Sequence, residues 1–160
     1  MTADDVPLVA GWLDEPHVGP WWKPSDLDDI TRAIRGDDPV ETWLLVVDGR
    51  DVGYFQVYDV GYDAEYREAC ATVGVEPGIA GIDYLIGDPA LVGRGLGTEA
   101  IKRFVEDIVF GLYPYPAVTA GPDPKNAASI RALEKNGFAF VGAIAPSYGA
   151  EHLMRRERGT

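Results

Sequence analysis

A glycine-rich segment in the middle of the chain has the composition of an anion-binding turn. A predicted strand, residues 82–86, leads into Val92-Gly93-Arg94-Gly95-Leu96-Gly97-Thr98 and then into a predicted helix. Glycines at a helix N-terminus let phosphate oxygens reach backbone N–H groups, and the helix dipole favours negative charge there. The segment therefore predicts a diphosphate site, although a tight strand-to-helix turn without any ligand would use the same residues.

Two other phosphate motifs do not fit this segment. No Lys-Ser/Thr pair follows the glycines, which excludes the Walker pattern, and no strand with a ribose-binding acid follows at the distance of the dinucleotide fingerprint. The glycines alone are therefore weak evidence.

A carboxylate lies within the strand that precedes the glycines. Asp83 alternates with apolar Ile82 and Tyr84. A carboxylate in a central strand is costly unless it has a partner or a function. Asp83 is accordingly a candidate functional residue, with a hydrogen-bonded structural aspartate and an acid that only binds substrate as the alternatives.

Two signatures in the chain resemble the GNAT superfamily of acetyl-CoA-dependent N-acetyltransferases. The run Val92 to Gly97 resembles the family pattern Gln/Arg-x-x-Gly-x-Gly/Ala, and Asn126, Ser129, Arg131 and the run 134–138 (Glu-Lys-Asn-Gly-Phe) resemble the second signature. More narrowly, the pair Trp21-Trp22, Gly81-Ile82-Asp83 and the Pro-x-Asn of Pro124 and Asn126 look like the aminoglycoside 6′-N-acetyltransferases. The resemblance covers residues 1–156 and is weakest over 59–76.

The resemblance implies a role for each of these positions. In the family the amides of the glycine turn bind the diphosphate of acetyl-CoA and the preceding strand pairs with its pantetheine arm. The implied cofactor-binding residues are Leu85, Ile86, Gly93, Arg94, Gly95, Leu96, Gly97, Thr98, Asn126, Ser129, Arg131 and Lys135. The implied substrate-binding residues are Trp21, Trp22, Asp83, Tyr84, Asp123 and Tyr148.

The same resemblance assigns the catalytic base to Asp83. Acetyl transfer needs a neutral amine, so the enzyme must take a proton from an alkylammonium group. Backbone amides would polarise the thioester carbonyl, a stabilisation that needs no metal. One tryptophan of the pair is expected in the core and the other in a wall of the acceptor pocket.

Several positions depart from the narrow pattern. Leu133 stands where many GNAT enzymes carry a tyrosine that protonates the leaving thiolate. Gly121 stands where related aminoglycoside enzymes have a substrate-binding aspartate, and Asp123, two residues further on, is a candidate substitute for it. Tyr148 stands in the last turn, where an aspartate is often seen. The alternatives are a siderophore-lysine or other small-amine N-acyltransferase, which shares the paired tryptophans, and a non-catalytic acyl-CoA or drug-binding module.

Neither histidine matches the active-site histidine of the siderophore-type enzymes. His17 and His152 are both expected to be structural.

The charge distribution favours a cationic acceptor. The formal net charge is −12, and residues 1–80 carry all of it, with 17 acidic and 5 basic residues. Such a chain lacks the basic face that nucleic acids require. The acids Asp59, Asp63, Glu65 and Glu68 lie on a predicted loop where they could meet substrate ammonium groups, although surface acidity also serves solubility alone.

Length and composition predict one domain, residues 1–160, in the cytoplasm. The chain has 160 residues, 46% of them hydrophobic, and no apolar run of membrane-spanning length. Cys70, a loop residue in this interpretation, is the only cysteine, so neither an intramolecular disulfide nor a thiolate metal cluster is possible. A monomer or a homodimer is expected.

Hydrophobic periodicity predicts a mixed α/β chain in the order ααββ, loop, βαβαββ. Helices are predicted from Thr2 to about residue 14, from Ser25 to Gly36, over 95–110 and over 127–136, and strands over 43–47, 52–58, 82–86, 117–120, 138–144 and 151–156. Residues 59–80 are predicted as a loop with at most a short helical piece. GNAT domains usually open with a strand ahead of the first helix, and here Met1 falls at that helix, so this strand is expected to be missing or to lie upstream.

Overall fold

The computed structural model describes residues 1–160 as a mixed α/β fold. The helices are α1 (Val6–Leu13), α2 (Asp26–Arg35), α3 (Ala64–Ala71), α4 (Leu96–Arg103), α5 (Phe110–Leu112) and α6 (Ala127–Lys135). The strands are β1 (Val40–Val47), β2 (Arg50–Asp59), β3 (Ala80–Ile86), β4 (Ala117–Ala120), β5 (Ala139–Ile144) and β6 (Glu151–Glu157). The mixed α/β class predicted from periodicity is confirmed.

The six strands form one sheet in the order β1-β2-β3-β4-β6-β5. Strands β3 and β4 run parallel but pair at only two positions, Ala80 with Val118 and Gly81 with Thr119. Strand β6 runs antiparallel to both β4 and β5. The short β3–β4 pairing leaves Asp83 beyond the last residue of β3 that pairs with β4.

By its contacts the chain divides into two compact units, and the division falls within β3. Unit 1 contains Met1–Val57 and Tyr84–Gly97, and unit 2 contains Tyr58–Asp83 and Thr98–Thr160. The single domain predicted over residues 1–160 remains a prediction.

The first two helices and the hairpin of unit 1 lie where the sequence predicts them, although α1 begins at Val6 and not at residue 2, and β1 begins at Val40 and not at residue 43. Asp5 Oδ2 accepts from the Thr2 N–H at 2.7 Å ahead of α1, and Gly36 ends α2 in the left-handed conformation. The hairpin turns through Asp48 and Gly49, both at positive φ, as the Asp-Gly dipeptide predicts. The core of this unit consists of buried side chains from α1, α2, β2, β3 and the segment after α1, namely Val9, Trp12, Leu13, Val18, Ile30, Tyr54 and Leu85.

In unit 2 the long segment contains the short helical piece that the prediction allowed, and the Cys70 environment and one helix depart from the prediction. Residues 59–80 contain a two-turn helix, α3, which begins where the Asp63 side chain accepts from the Tyr66 N–H at 2.8 Å. Cys70 therefore lies buried in a helix and not in a loop. The helix predicted over 95–110 includes a π-helical stretch, Phe104–Val109, before α5. A local widening of this kind adds a residue to the turn, which a periodicity of 3.6 does not reveal.

No helix of the chain combines the length and the apolar character needed to cross a bilayer.

Candidate active site

The glycine turn of unit 1 has the geometry of a backbone anion site. Gly93 and Gly95 adopt φ values of 76° and 81°, and a Cβ added to either would meet no atom within 4 Å. Both residues are exposed, so their open sides face solvent. Helix α4 begins at Leu96, and the first N–H groups of a helix have no partner within it. The turn therefore presents backbone donors to a space that can hold an anion.

The strand that leads to this turn is fixed at its end by two hydrogen bonds. The carbonyl oxygen of Ile86 lies 2.8 Å from His17 Nε2, and the Gly87 N–H donates to the Val52 carbonyl at 2.8 Å. Leu85 is buried and Ile86 is half-buried. These contacts give His17 the structural role that the sequence predicts.

The second histidine is also in a packing contact. His152 lies against the Phe140 ring at a centroid distance of 4.9 Å. The structural role expected of His152 remains a prediction, with which this contact agrees.

Unit 2 brings two carboxylates and a tyrosine together. Asp83 lies half-buried on β3, Glu151 is the first residue of β6, and Tyr148 lies in the turn before β6. Burial, and then the Asp83 carboxylate, raise the pKa of Glu151 from 4.5 to about 8. The Tyr148 hydroxyl donates a hydrogen bond to Glu151, and burial together with the two carboxylates raises the Tyr148 pKa. The charged forms of the two carboxylates therefore repel each other in a partly buried position, which costs free energy.

Two further tyrosines and the cysteine surround these carboxylates. Burial raises the pKa of Tyr58 and of Tyr66 well above 10, with the negative charges of Asp83 and Glu151 adding to the effect. Burial raises the pKa of Cys70 to about 11, so its thiol stays protonated. These groups are neutral at pH 7 and supply no positive charge to the carboxylates.

The residues of the second signature lie at the start of α6 and along its exposed face. The Asn126 side chain accepts from the Ser129 N–H at 3.1 Å and so begins the helix. Arg131 and Lys135 are exposed, stand four residues apart on one helix face and make no ion pair. The helix face that carries Arg131 and Lys135 is exposed and positively charged. The side-chain oxygen of Asn126 already accepts a hydrogen bond within the helix.

The paired tryptophans divide into one packed and one open ring. Trp22 contacts the unit 1 core with its ring edge-on to Tyr54 at 6.2 Å, whereas Trp21 is 41% exposed. Tyr84 stacks on Phe55 with centroids 5.5 Å apart. Trp21 is therefore the more exposed ring of the pair, and its place in a wall of the acceptor pocket remains a prediction.

Three of the four acids expected on the long loop make structural contacts. Asp59 accepts from the Gly61 and Gly78 N–H groups, Asp63 begins α3, and Glu65 accepts from the Ser147 N–H. Glu68 is exposed.

Asp123, the residue suggested in place of a substrate-binding aspartate, is engaged in a turn. Its Oδ1 atom accepts from the Lys125 N–H at 2.8 Å. Leu133, at the position of the missing tyrosine, is fully buried and has no proton to give to a thiolate.

Sequence reasoning missed Glu151. The residue pattern predicts only that it begins a strand, although the argument used for Asp83, that a carboxylate in a strand needs a partner or a function, applies to it equally. Its proximity to Asp83 joins residues 68 positions apart in sequence.

Comparison with known proteins identifies the family. Residues 1–145 match the family model described as an acetyltransferase (GNAT) domain. The aminoglycoside N(6′)-acetyltransferase type 1 of Klebsiella pneumoniae is 27% identical over 99% of this chain and 81% of its own. The lysine N-acyltransferase MbtK of Mycolicibacterium paratuberculosis is 29% identical over 86% of this chain and 62% of its own.

A solved structure gives the same result at the level of the fold. The crystal structure of aminoglycoside acetyltransferase AAC(6′)-Ib in complex with coenzyme A and kanamycin aligns with a TM-score of 0.84 and 27% identity, over 99% of this chain and 92% of its own. The two GNAT signatures, the glycine turn and the match over residues 1–145 agree, and the chain belongs to the GNAT acetyltransferase family.

Proposed function

We propose that this protein transfers the acetyl group of acetyl-CoA to an amino group of an aminoglycoside, the 6′-amine first among them, and so confers resistance. The observation that carries the proposal is the full-length similarity to a 6′-N-acetyltransferase whose structure holds coenzyme A and kanamycin. Because acetyl-CoA is a cytoplasmic metabolite, the proposal also implies a cytoplasmic reaction.

The residues of the glycine turn fit acetyl-CoA as co-substrate. The open sides of Gly93 and Gly95 leave room for diphosphate oxygens beside the first N–H groups of α4. Arg131 and Lys135 offer positive charge to phosphate groups. Leu85 and Ile86 would offer strand backbone to the pantetheine arm.

The proposed chemistry is direct transfer, with Asp83 as the base. Asp83 takes a proton from the acceptor ammonium group, and the neutral nitrogen forms a bond to the acetyl carbon while the carbon–sulfur bond breaks. As the amide forms, the nitrogen loses its second proton, one proton reaches the sulfur through water, and coenzyme A leaves as the thiol. Trp21, Tyr84, Asp123 and Tyr148 remain the proposed acceptor contacts around this step.

A second candidate is the acylation of a smaller amine. It is favoured by the similarity to MbtK and to the N-hydroxyputrescine acetyltransferase of Acinetobacter baumannii, which is 32% identical over 74% of this chain and 56% of its own. The chain lacks the histidine expected for the siderophore-type enzymes, since His17 and His152 are both in structural contacts.

The test is a thiol-release assay with acetyl-CoA across aminoglycosides, polyamines and hydroxylysine-type amines. We expect kanamycin-like aminoglycosides to give the highest kcat/KM, with mass spectrometry locating the acetyl group on the 6′-nitrogen. Turnover confined to putrescine or lysine-type amines would favour the second candidate. Acetyl-CoA binding without turnover of any amine would support a binding module instead.

A further inference from the structure

The last carbonyl group of β3, that of Ile86, lies on the edge of the strand that faces away from β2. A Cβ built on Gly53 of β2 would lie 2.6 Å from the Leu85 carbonyl oxygen, so this oxygen faces β2. The Gly87 N–H also faces β2, since it donates to the Val52 carbonyl at 2.8 Å. Successive residues of a strand point their N–H and C=O groups to opposite edges. The backbone groups of Ile86, between these two residues, therefore point to the other edge.

His17 binds this edge of the strand at Ile86. Its Nε2 atom lies 2.8 Å from the Ile86 carbonyl oxygen. A carbonyl oxygen only accepts hydrogen bonds, so Nε2 carries the proton and donates it. The pairing of β3 with β4 is confined to Ala80 and Gly81 and does not continue to Ile86. At Ile86 the imidazole thus satisfies a backbone acceptor that a neighbouring strand would satisfy within a complete ladder.

The contact between His17 and Ile86 is held from both sides. His17 precedes Val18, whose side chain is buried in the core of unit 1. Gly87, which follows the bound carbonyl, lies directly against α1, since a Cβ there would come within 2.2 Å of the Trp12 ring. The Ile86–Gly87 peptide is therefore fixed between α1, β2 and the imidazole.

The state of this carbonyl matters for a ligand that pairs with β3 as a strand would. The pantetheine arm of acetyl-CoA contains amide groups, and an extended chain of this kind binds a strand edge through hydrogen bonds to the backbone. Along one edge, equivalent backbone groups recur every second residue, about 7 Å apart. An uncovered Ile86 carbonyl would offer the arm a second register, with the thioester displaced by about 7 Å.

We propose that His17 is a positioning residue for acetyl-CoA, because its hydrogen bond to the Ile86 carbonyl holds the pantetheine arm to one register on β3. This inference rests on the proposed function, in which β3 offers its backbone to the arm. His17 acts through the strand and takes no part in proton transfer. A displacement of about 1 Å can cost about 10²-fold in rate, so loss of the single register lowers kcat while the diphosphate contacts of the glycine turn persist.

The first test compares His17→Leu, which removes the donor, with His17→Gln, whose side-chain amide keeps an N–H donor. With acetyl-CoA and kanamycin, we expect the kcat of His17→Leu to fall about tenfold or more, with the dissociation constant of coenzyme A within about twofold of the wild type in calorimetry. His17→Gln should recover most of the lost kcat. All assays use a temperature at which circular dichroism shows each variant to be folded.

The matched control is Thr31→Val in α2, within the same unit. Thr31 Oγ1 donates to the Leu27 carbonyl at 2.6 Å, so this substitution also removes a hydrogen bond from a side chain to a backbone carbonyl. It leaves β3 and the segment of His17 untouched. We expect Thr31→Val to keep the wild-type kcat.

The second test observes the register directly and needs no acceptor. Acetyl-CoA isotopically labelled at the thioester carbonyl carbon should give one bound NMR resonance in the wild type and in His17→Gln, and a second or broadened resonance in His17→Leu. If His17→Leu does not fold, ring-nitrogen NMR of the wild type with acetyl-CoA bound replaces it. The chain has only two histidines, so a His152→Gln variant assigns the His17 signals. Nε2 of His17 should carry the proton, and a neutral ring protonated only at Nδ1 would overturn the inference.

The outcomes separate this inference from the proposed function. If the wild type acetylates kanamycin but folded His17→Leu keeps the wild-type kcat and a single resonance, the role of His17 is wrong and the function stands. A fall in kcat as large as that of His17→Leu, in either His17→Gln or Thr31→Val, also overturns this role. If acetyl-CoA binds in one His17-dependent register but no aminoglycoside is acetylated, the proposed function fails and the inference holds. A wild type that does not bind acetyl-CoA overturns both.

Discussion

The raised pKa of Glu151 has a consequence for stability that can be measured without any substrate. A carboxyl whose pKa rises from 4.5 to about 8 on folding keeps its proton in the folded state after the unfolded state has lost it. Its stabilising contribution is therefore fully present below pH 4.5, is lost as the pH rises and levels off above pH 8. Replacing Glu151 by glutamine should remove this pH dependence.

The magnitude follows from the size of the shift. Each pH unit between the two pKa values costs about 1.4 kcal/mol for one proton. Between pH 5 and pH 7 the loss from Glu151 then amounts to about 2.5 kcal/mol. For a chain of this length, that corresponds to about 5–10 °C in Tm.

The assay is urea unfolding of the wild type and Glu151→Gln at pH 5, 6, 7 and 8, with the difference in unfolding free energy plotted against pH. Titrations of groups that do not interact with Glu151 cancel in that difference. We expect the difference to change by about 2.5 kcal/mol in favour of Glu151→Gln between pH 5 and pH 7. A flat line for Glu151→Gln would refute the buried, charge-opposed environment described for Glu151.

Three further predictions concern the proposed reaction. Asp83→Asn should lower kcat for kanamycin about 10²-fold or more while leaving acetyl-CoA affinity unchanged, and a rise in KM alone would show that Asp83 holds the ammonium without acting as base. Gly95→Val should abolish acetyl-CoA binding in calorimetry, because the valine side chain fills the open side of the turn. The control Gly36→Val, at a similar φ of 77° and equally open, should leave acetyl-CoA binding unchanged. Unchanged affinity in folded Gly95→Val would refute the diphosphate placement. Raising salt should lower kcat/KM more steeply for a multiply charged aminoglycoside than for a mono-amine if the acidity of residues 1–80 attracts the acceptor, and equal slopes would leave that acidity a role in solubility only.

The sequence by itself determined the features whose cause is local. The α2 boundary at Gly36 and the turn at Asp48-Gly49 follow from backbone preferences of single residues, and both were predicted. The glycine turn at 93–97 was predicted for the same reason, because a motif within a few residues needs no knowledge of the rest of the chain. The family follows from two such motifs.

Only the tertiary structure decided what the acidic residues do. Asp59, Asp63 and Glu65 carry the same charge as Glu68, yet these three accept hydrogen bonds from backbone N–H groups and Glu68 does not. The sequence offered all four as possible ligands of a cation. The Asp63 bond to Tyr66 is local, but Glu65 accepts from Ser147, 82 positions away, and no pattern within a few residues records that contact.

The pairing of Glu151 with Asp83 is the clearest case. The two residues are 68 positions apart and lie on different strands, so their proximity arises from the strand order of the sheet. Burial then turns that proximity into a raised pKa and an unsatisfied oxygen. A charged residue in a strand can be seen in the sequence. The free-energy cost of its charge depends on solvent exclusion and on neighbouring charges, and both of these arise only in the folded chain.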